Sequence, residues 1–220
     1  MIVRHLHRPG ELLAVLDEPT AEMLHVRALL SHAKNRAAGI VPHTSSDTDA
    51  HWTKSGWHGW VYGWKLHLVS TVASVWIPLA AELTPANAAD NEVAAPLLTG
   101  LPTEVRFVLG DRHYNAPNVR AVCESQQQVL VTSPYGSYPH TDEGVEVRRV
   151  FHKLRSANLE TFNELFKGTF DGHGSVPTKG LRATRRFALG AVFVYQLMLL
   201  ARFEAGQPLR LGLKAFLKAA

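Results

Sequence analysis

Apolar runs of strand length, separated by turn-rich polar stretches, fill most of the chain up to about residue 132. ELLAVL (11–16) is short and apolar and is followed by Pro19, which predicts a strand and then a turn, with a helix start as the alternative. AEMLHVRALLSHAKNRAA (21–38) has helical composition but little cleanly apolar face, and Gly39 to Trp57 is dense in Gly, Pro, Ser, Thr and Asp and reads as loop. WVYGWKLHLVST (60–71) and VWIPLAAELT (75–84) are rich in β-branched and aromatic residues and are joined by a short link, which predicts an antiparallel hairpin.

Residues 85–101 read as a helix, with Asn87 or Asp90 near its start and Gly100 near its end. VRFVLGD (105–111) is a continuous apolar run of strand length that ends on an acid. Tyr114, Asn115 and Pro117 then open a helix reaching about Gln126, and QQVLVT (127–132) predicts another strand. A polar loop (133–144), a helical pattern from Lys153 to Phe170 and a very apolar helix (182–203) complete the chain. Strands first, then alternation, then helices indicate an α/β layer with a mixed sheet. The apolar stretch 187–201 has Gln196 inside it and falls short of the roughly 20 residues a membrane span needs, so a packing helix lying against the sheet is expected.

Composition adds boundaries. The 220 residues suit one domain spanning 1–220, and a 46% hydrophobic content excludes a disordered chain. One cysteine, Cys123, excludes a disulfide framework and a multi-cysteine zinc site. The first residues carry no apolar core of signal-peptide length, so a cytoplasmic location with no membrane partner is expected. The net charge of +4 is unevenly spread: residues 1–110 hold 8 basic and 10 acidic groups, whereas 148–186 hold 9 basic and 3 acidic. A basic segment inside a folded chain is either a solvated helix face or a surface for phosphate backbones.

Asp111 is the best single candidate for chemistry. It closes a buried-strand pattern, where α/β proteins place functional groups, although an Asp there also serves as a helix cap. Glu160 and Glu164 lie four apart and so on one helical face, with Arg155 before them and Lys167 after, a pattern for metal and phosphate or for ordinary surface pairs. Asp17 ends the first strand pattern. Carboxylates from two strand ends and a helix would suit a pair of Mg²⁺ ions, which take oxygen ligands and stabilise both oxygens of an in-line displacement at phosphorus. Aromatic residues in GWHGWVYGW (56–64) fit a strand core better than a base-stacking surface, and Cys123 has no histidine near it in sequence.

Four strings, GWVYGWKLHL (59–68), LTPANAADN (83–91), VLGDRHYNAP (108–117) and HKLRSANLETFNELFK (152–167), together resemble bacterial insertion-sequence transposases of the DDE class. The likeness runs from about Leu24 to the C-terminus. GDRHYN resembles the block around the family's second catalytic Asp, at Asp111. The family's Y-x2-R-x3-E-x6-K signature matches His152, Arg155, Glu160 and Lys167, with one extra residue between Arg155 and Glu160. The resemblance implies a ribonuclease H-like mixed five-stranded sheet flanked by helices. It also implies Asp17, Asp111 and Glu160 as catalytic metal ligands, two Mg²⁺ ions (Mn²⁺ as a substitute), and cleavage and strand transfer at transposon ends. Its partners would be double-stranded DNA, both ends and target, and a second copy in a homodimer. Arg112, Arg155, Lys167 and Lys179 are the expected phosphate contacts.

Two departures leave alternatives open. The family's D-x-T block would fall near Thr20, so Asp17 fits only with a shift of about three residues, and Glu18 and Glu22 compete with it. No end-binding region precedes the first strand, which suggests a truncated copy. A DNA-binding remnant without activity, and a metal-dependent nuclease without strand transfer, therefore stand beside the active transposase.

Overall fold

The computed structural model describes residues 12–16, 47–55, 59–71, 75–132, 166, 169–170 and 176–209, with the backbone alone at 12–16, 55, 59–61 and 112. Its strands are β1 (Leu12–Leu16), β2 (His51–Ser55), β3 (Gly59–Thr71), β4 (Pro78–Pro85), β5 (Val105–Gly110) and β6 (Val129–Thr132). The helices are α1 (Asp90–Thr99), α2 (Pro117–Ser125) and α3 (Leu181–Glu204). The predicted strands at 11–16, 60–71, 75–84, 105–111 and 127–132 all form, within a few residues of their expected ends. The pattern at 21–38 and nearly all of that at 153–170 lie outside the described residues.

Among the described residues six strands are connected, in the order β2-β3-β1-β5-β6 with β4 paired to β3, one more than the five expected. The sixth is β2, inside the stretch read as loop. HWTKS has too mixed a pattern to declare itself, and it becomes a strand by antiparallel pairing with residues 59–63 of β3. Trp52 then meets Tyr62 edge to face, with ring centroids 5.2 Å apart.

Length lets β3 serve several partners. It pairs antiparallel with β4 through residues 64–70 and with the end of β1 through 69–71. The pairs β1–β5 and β5–β6 are parallel, so β3 runs opposite to the other five strands. At the outer edge of β4, Glu82 Oε1 accepts the Leu83 N–H at 2.9 Å and its other oxygen pairs with Arg185 of α3. That removes one N–H from those an added strand could use.

Alternation along β3 builds two cores. Trp64, Leu66 and Leu68 join Leu83, Phe166 and one side of α3 (Ala188, Val192, Tyr195, Leu199). Val69, on the opposite face, joins Val105 and Val108 of β5, Leu98 of α1, and Val119 and Cys123 of α2. Each fully buried aliphatic side chain contributes about 1.5–3 kcal/mol, so both faces of the sheet stabilise it.

The packing-helix expectation holds for one side of α3 only. Its other side exposes Phe187, Phe193, Val194, Leu197 and Phe203. At 24 residues, with an 18-residue window of mean hydropathy 1.4, α3 is also long and apolar enough to cross a membrane by length and composition.

The start of α3 is held from far away in sequence. Gly180, at φ +81°, provides no side-chain cap. Instead Asp47 Oδ2 accepts the Gly180 N–H and Asp49 Oδ2 accepts the Leu181 N–H, both at 3.0 Å. These carboxylates also complement the positive end of the helix dipole. Replacing Asp47 by Ala should cost about 1–2 kcal/mol, the usual loss of a cap, measurable by denaturant unfolding.

Polar groups on the α1 side of β3 are buried or partly buried, and paired. Lys65 bonds Asp90 at 2.8 Å and the Ala88 carbonyl at 3.0 Å, tying β3 to the start of α1. His67, 3% exposed, shares a 2.8 Å hydrogen bond with Thr84 Oγ1. Burial lowers its pKa from 6.5 to about 4, against the raising effect of Asp90, with Lys65 adding to the fall. A histidine whose folded pKa is depressed stabilises the fold fully above its unfolded pKa and loses that contribution as pH falls toward the folded value. Stability should therefore drop by roughly 3 kcal/mol between pH 6.5 and pH 4, and His67→Gln should flatten that part of the profile in denaturant titrations.

Candidate active site

The parallel strands β1, β5 and β6 end at one edge of the sheet. Their register pairs Val15 with Leu109 and Gly110 with Thr132. Asp111 is the first residue past β5 and is 5% exposed. Leu16, the last residue of β1, comes to the same edge. Ends of parallel strands, where the chain leaves the ladder for a turn, are where α/β sheets gather functional groups.

The turn after β5 braces the carboxylate. Residues Arg112–Tyr114 form a single 3-10 turn, in which the Tyr114 N–H donates to the Asp111 carbonyl at 3.2 Å. Asp111 Oδ1 accepts the His113 backbone N–H at 2.7 Å, and Oδ2 lies 3.1 Å from His113 Nδ1. For that second contact to be a hydrogen bond, Nδ1 carries the proton. Tyr114 is buried in the α1–α2 core and anchors the turn. A side chain at Gly110 would put Cβ 3.0 Å from Tyr114 Cβ, so glycine is what allows the strand to approach the ring. Beyond the turn, Arg120 Nε donates to Asn115 Oδ1 at 2.8 Å and Asn118 bonds the Asn91 carbonyl at 3.0 Å, fixing α2 against α1.

Other candidates distribute as follows. Arg112 sits on the 3-10 turn next to Asp111, with its backbone alone described. Lys179 is exposed and precedes α3. Because α3 bonds Glu82 through Arg185 and Pro78 through Gln196, it runs antiparallel to β4. Its basic start, with Lys179, Arg182, Arg185 and Arg186, therefore points toward the edge where β1 and β5 end. Asp17, Arg155, Glu160 and Lys167 lie outside the described residues. Among the described residues, no three His, Cys, Asp or Glu side chains group closely enough to hold a metal ion.

Tyr62 and Trp64 of the glycine–tryptophan run are core residues. Burial, with Glu124 as a smaller contributor, pushes the Cys123 thiol up to about 11, which removes it as a nucleophile near neutral pH. His113 is a site residue that the apolar pattern of the chain does not mark. Its signal was its place two residues after Asp111, a spacing at which one turn returns both the N–H and the ring to the carboxylate.

The family model described as a transposase DDE domain matches residues 38–197. That span is more than half of the chain. The chain belongs to the transposase DDE-domain family. The match takes in β2 to β6, Asp111 and most of α3, and it begins beyond β1 and Asp17. No curated protein matches the chain. Within this transposase domain, Gly110→Val should destabilise the turn that carries Asp111, by about 1–3 kcal/mol as for other overpacked sites, visible as a lowered midpoint in thermal unfolding.

Proposed function

We propose that this protein is a ribonuclease H-like transposase catalytic domain that cleaves DNA at the ends of an insertion sequence and joins them to target DNA. The observation that carries the reading is the braced, nearly buried carboxylate of Asp111 at the sheet edge to which β1 also leads, in a chain of the transposase DDE-domain family. The sheet topology is compatible with it: a long antiparallel β3 flanked by β4 and β1, then parallel β5 and β6.

Asp111, Asp17 and Glu160 are the proposed ligands of divalent metal, with Mg²⁺ preferred. Asp111 fits the task in kind, since a carboxylate just past the end of a parallel strand is the oxygen donor that Mg²⁺ takes. When bound, a pair of such ions supplies activation of the attacking oxygen and stabilisation of the leaving one. His113 would hold Asp111 oriented. Lys179 and Arg112, with Arg155 and Lys167, would position the backbone phosphates. In the first step water attacks the phosphodiester, the bond from phosphorus to the 3′ oxygen breaks, and a 3′-OH is left. In the second, that hydroxyl attacks a target phosphodiester, forming a new P–O bond and releasing a target 3′-OH. Both are in-line displacements, so one site serves both.

Incubation of the protein with DNA carrying its element's ends tests the reading. Nicking that requires Mg²⁺ or Mn²⁺, followed by joined products, is expected. Asp111→Asn, Asp17→Asn and Glu160→Gln should each lower nicking by at least about a thousandfold, equivalent to roughly 4 kcal/mol of transition-state stabilisation. Nicking without joined products would leave a nuclease, and salt-sensitive binding without nicking would leave a DNA-binding remnant. Lys179→Gln should weaken binding across sequences and lower the salt slope by about 1.

A further inference from the structure

Strand β3 reaches well past the edge that carries Asp111. Relayed through β1, the register puts Val108 of β5 level with Thr71 of β3. Continued at the same step, it brings Asp111 level with Leu68. Residues 59–63 of β3 lie beyond that level and, among the described residues, pair only with β2. The hairpin of β2 and β3 therefore projects past the candidate site. Lys54 stands opposite Trp60. That is eight residues beyond the level of Asp111, or about 26 Å along the strand direction.

The base of this hairpin and the start of α3 form one unit. Tyr62 donates its hydroxyl to the Asp47 carbonyl, while the Asp47 and Asp49 carboxylates hold the Gly180 and Leu181 N–H groups. Trp52 packs into the core on the α3 side, so Lys54, two residues on, lies on that side as well. Lys54, Lys179, Arg182 and Arg186 are all exposed. Among the described residues none of the four has an acidic partner. The acids nearest them are spent, Asp47 and Asp49 on the helix start and Glu82 on Arg185. Lys179 and Arg182 also stand at the positive end of the helix dipole, where cations disfavour the fold. Their placement serves something other than stability.

We infer that the β2–β3 hairpin and the start of α3 together make an arm that grips duplex DNA outside the reacting phosphodiester, with Lys54, Arg182 and Arg186 on backbone phosphates. The row of cations runs from the level of Trp60 to that of His67, where Glu82 meets Arg185. That length is about 23 Å, roughly two-thirds of a turn of B-DNA. A two-stranded ribbon fits the major groove of B-DNA, whereas the corresponding groove of duplex RNA is too narrow for side chains to read. Contacts of this kind fix position on the duplex and carry no sequence information. The position of the reacting bond rests on the proposed transposase reading; the grip itself needs no cleavage.

Binding of the full chain to a labelled linear duplex, without divalent metal and across a range of salt, tests the arm. Lys54→Gln, Arg182→Gln and Arg186→Gln should each weaken binding severalfold and lower the salt slope by about 1, and the triple variant by about 3. Lys54→Arg and Arg182→Lys should bind like the wild type. Arg182→Gln should leave thermal stability equal or higher, which separates lost contact from lost fold. Arg106→Gln, exposed at the other end of β5, should change nothing. An iron chelate that generates hydroxyl radicals, attached at Lys54→Cys, reads position, since Cys123 is buried. On an element end its cuts should centre about eight base pairs from the nicked bond. Cuts centred on the nicked bond, duplex binding indifferent to the triple variant or equally weakened by Arg106→Gln, or preference for duplex RNA would overturn the arm and leave the transposase reading standing. A wild-type chain that binds no duplex at all would overturn both.

Discussion

The structure depends on a strand that has no solvent side. Over its described length, β3 places Trp64, Leu66 and Leu68 on one face and His67, Val69 and Thr71 on the other, and all are buried. Burying both faces requires helices on both faces. Here α3 covers one and α1 with α2 the other. The polar members of the second face remain only because each has a partner: His67 with Thr84, Lys65 with Asp90, and Thr71 with the Ile77 N–H at 2.9 Å. A buried polar group without such a partner would cost about as much as a buried methyl-rich side chain contributes.

From that constraint the position of the candidate chemistry follows. Being reversed relative to its neighbours, β3 runs on past the point where β1 ends, and β1 and β5 stop together beside it. Asp111 thus emerges at an edge whose floor is the packed sheet, and Tyr114 pins the turn that carries it to the core beneath. A carboxylate braced by two contacts from His113 has few orientations open to it, which is what a preorganised ligand position needs. The basic start of α3 comes to the same edge because Asp47 and Asp49, beside β2, hold its first N–H groups.

Helix α3 satisfies one demand of the fold and leaves another open. A helix with an apolar stripe on one side needs one neighbour, but α3 is apolar on two sides. Mean hydropathy alone does not separate a helix packed into a core from one that pairs with another helix or with lipid. In α3 one stripe is filled by β3 and β4 and the other stays exposed.

Periodicity along the chain was enough for most of the sheet. The hairpin of β3 and β4, the strand before Asp111 and the long last helix each carry a local signal that packing reinforces. Asp111 was legible for the same reason, since an acid closing an apolar run marks a strand end. The strand β2 was not, because HWTKS has no pattern of its own and its conformation comes from pairing with β3. Nor was the role of Asp47 and Asp49, which meet α3 across more than 130 residues. His113 as a brace depends on a single turn of backbone. By itself the sequence determined which segments could be buried and where a carboxylate would leave a strand, because side-chain polarity and its period are local properties. Only the tertiary structure decided which strands are neighbours, what caps the last helix and which of its sides is left uncovered, because hydrogen-bond pairing and packing between distant segments are properties of the assembled sheet.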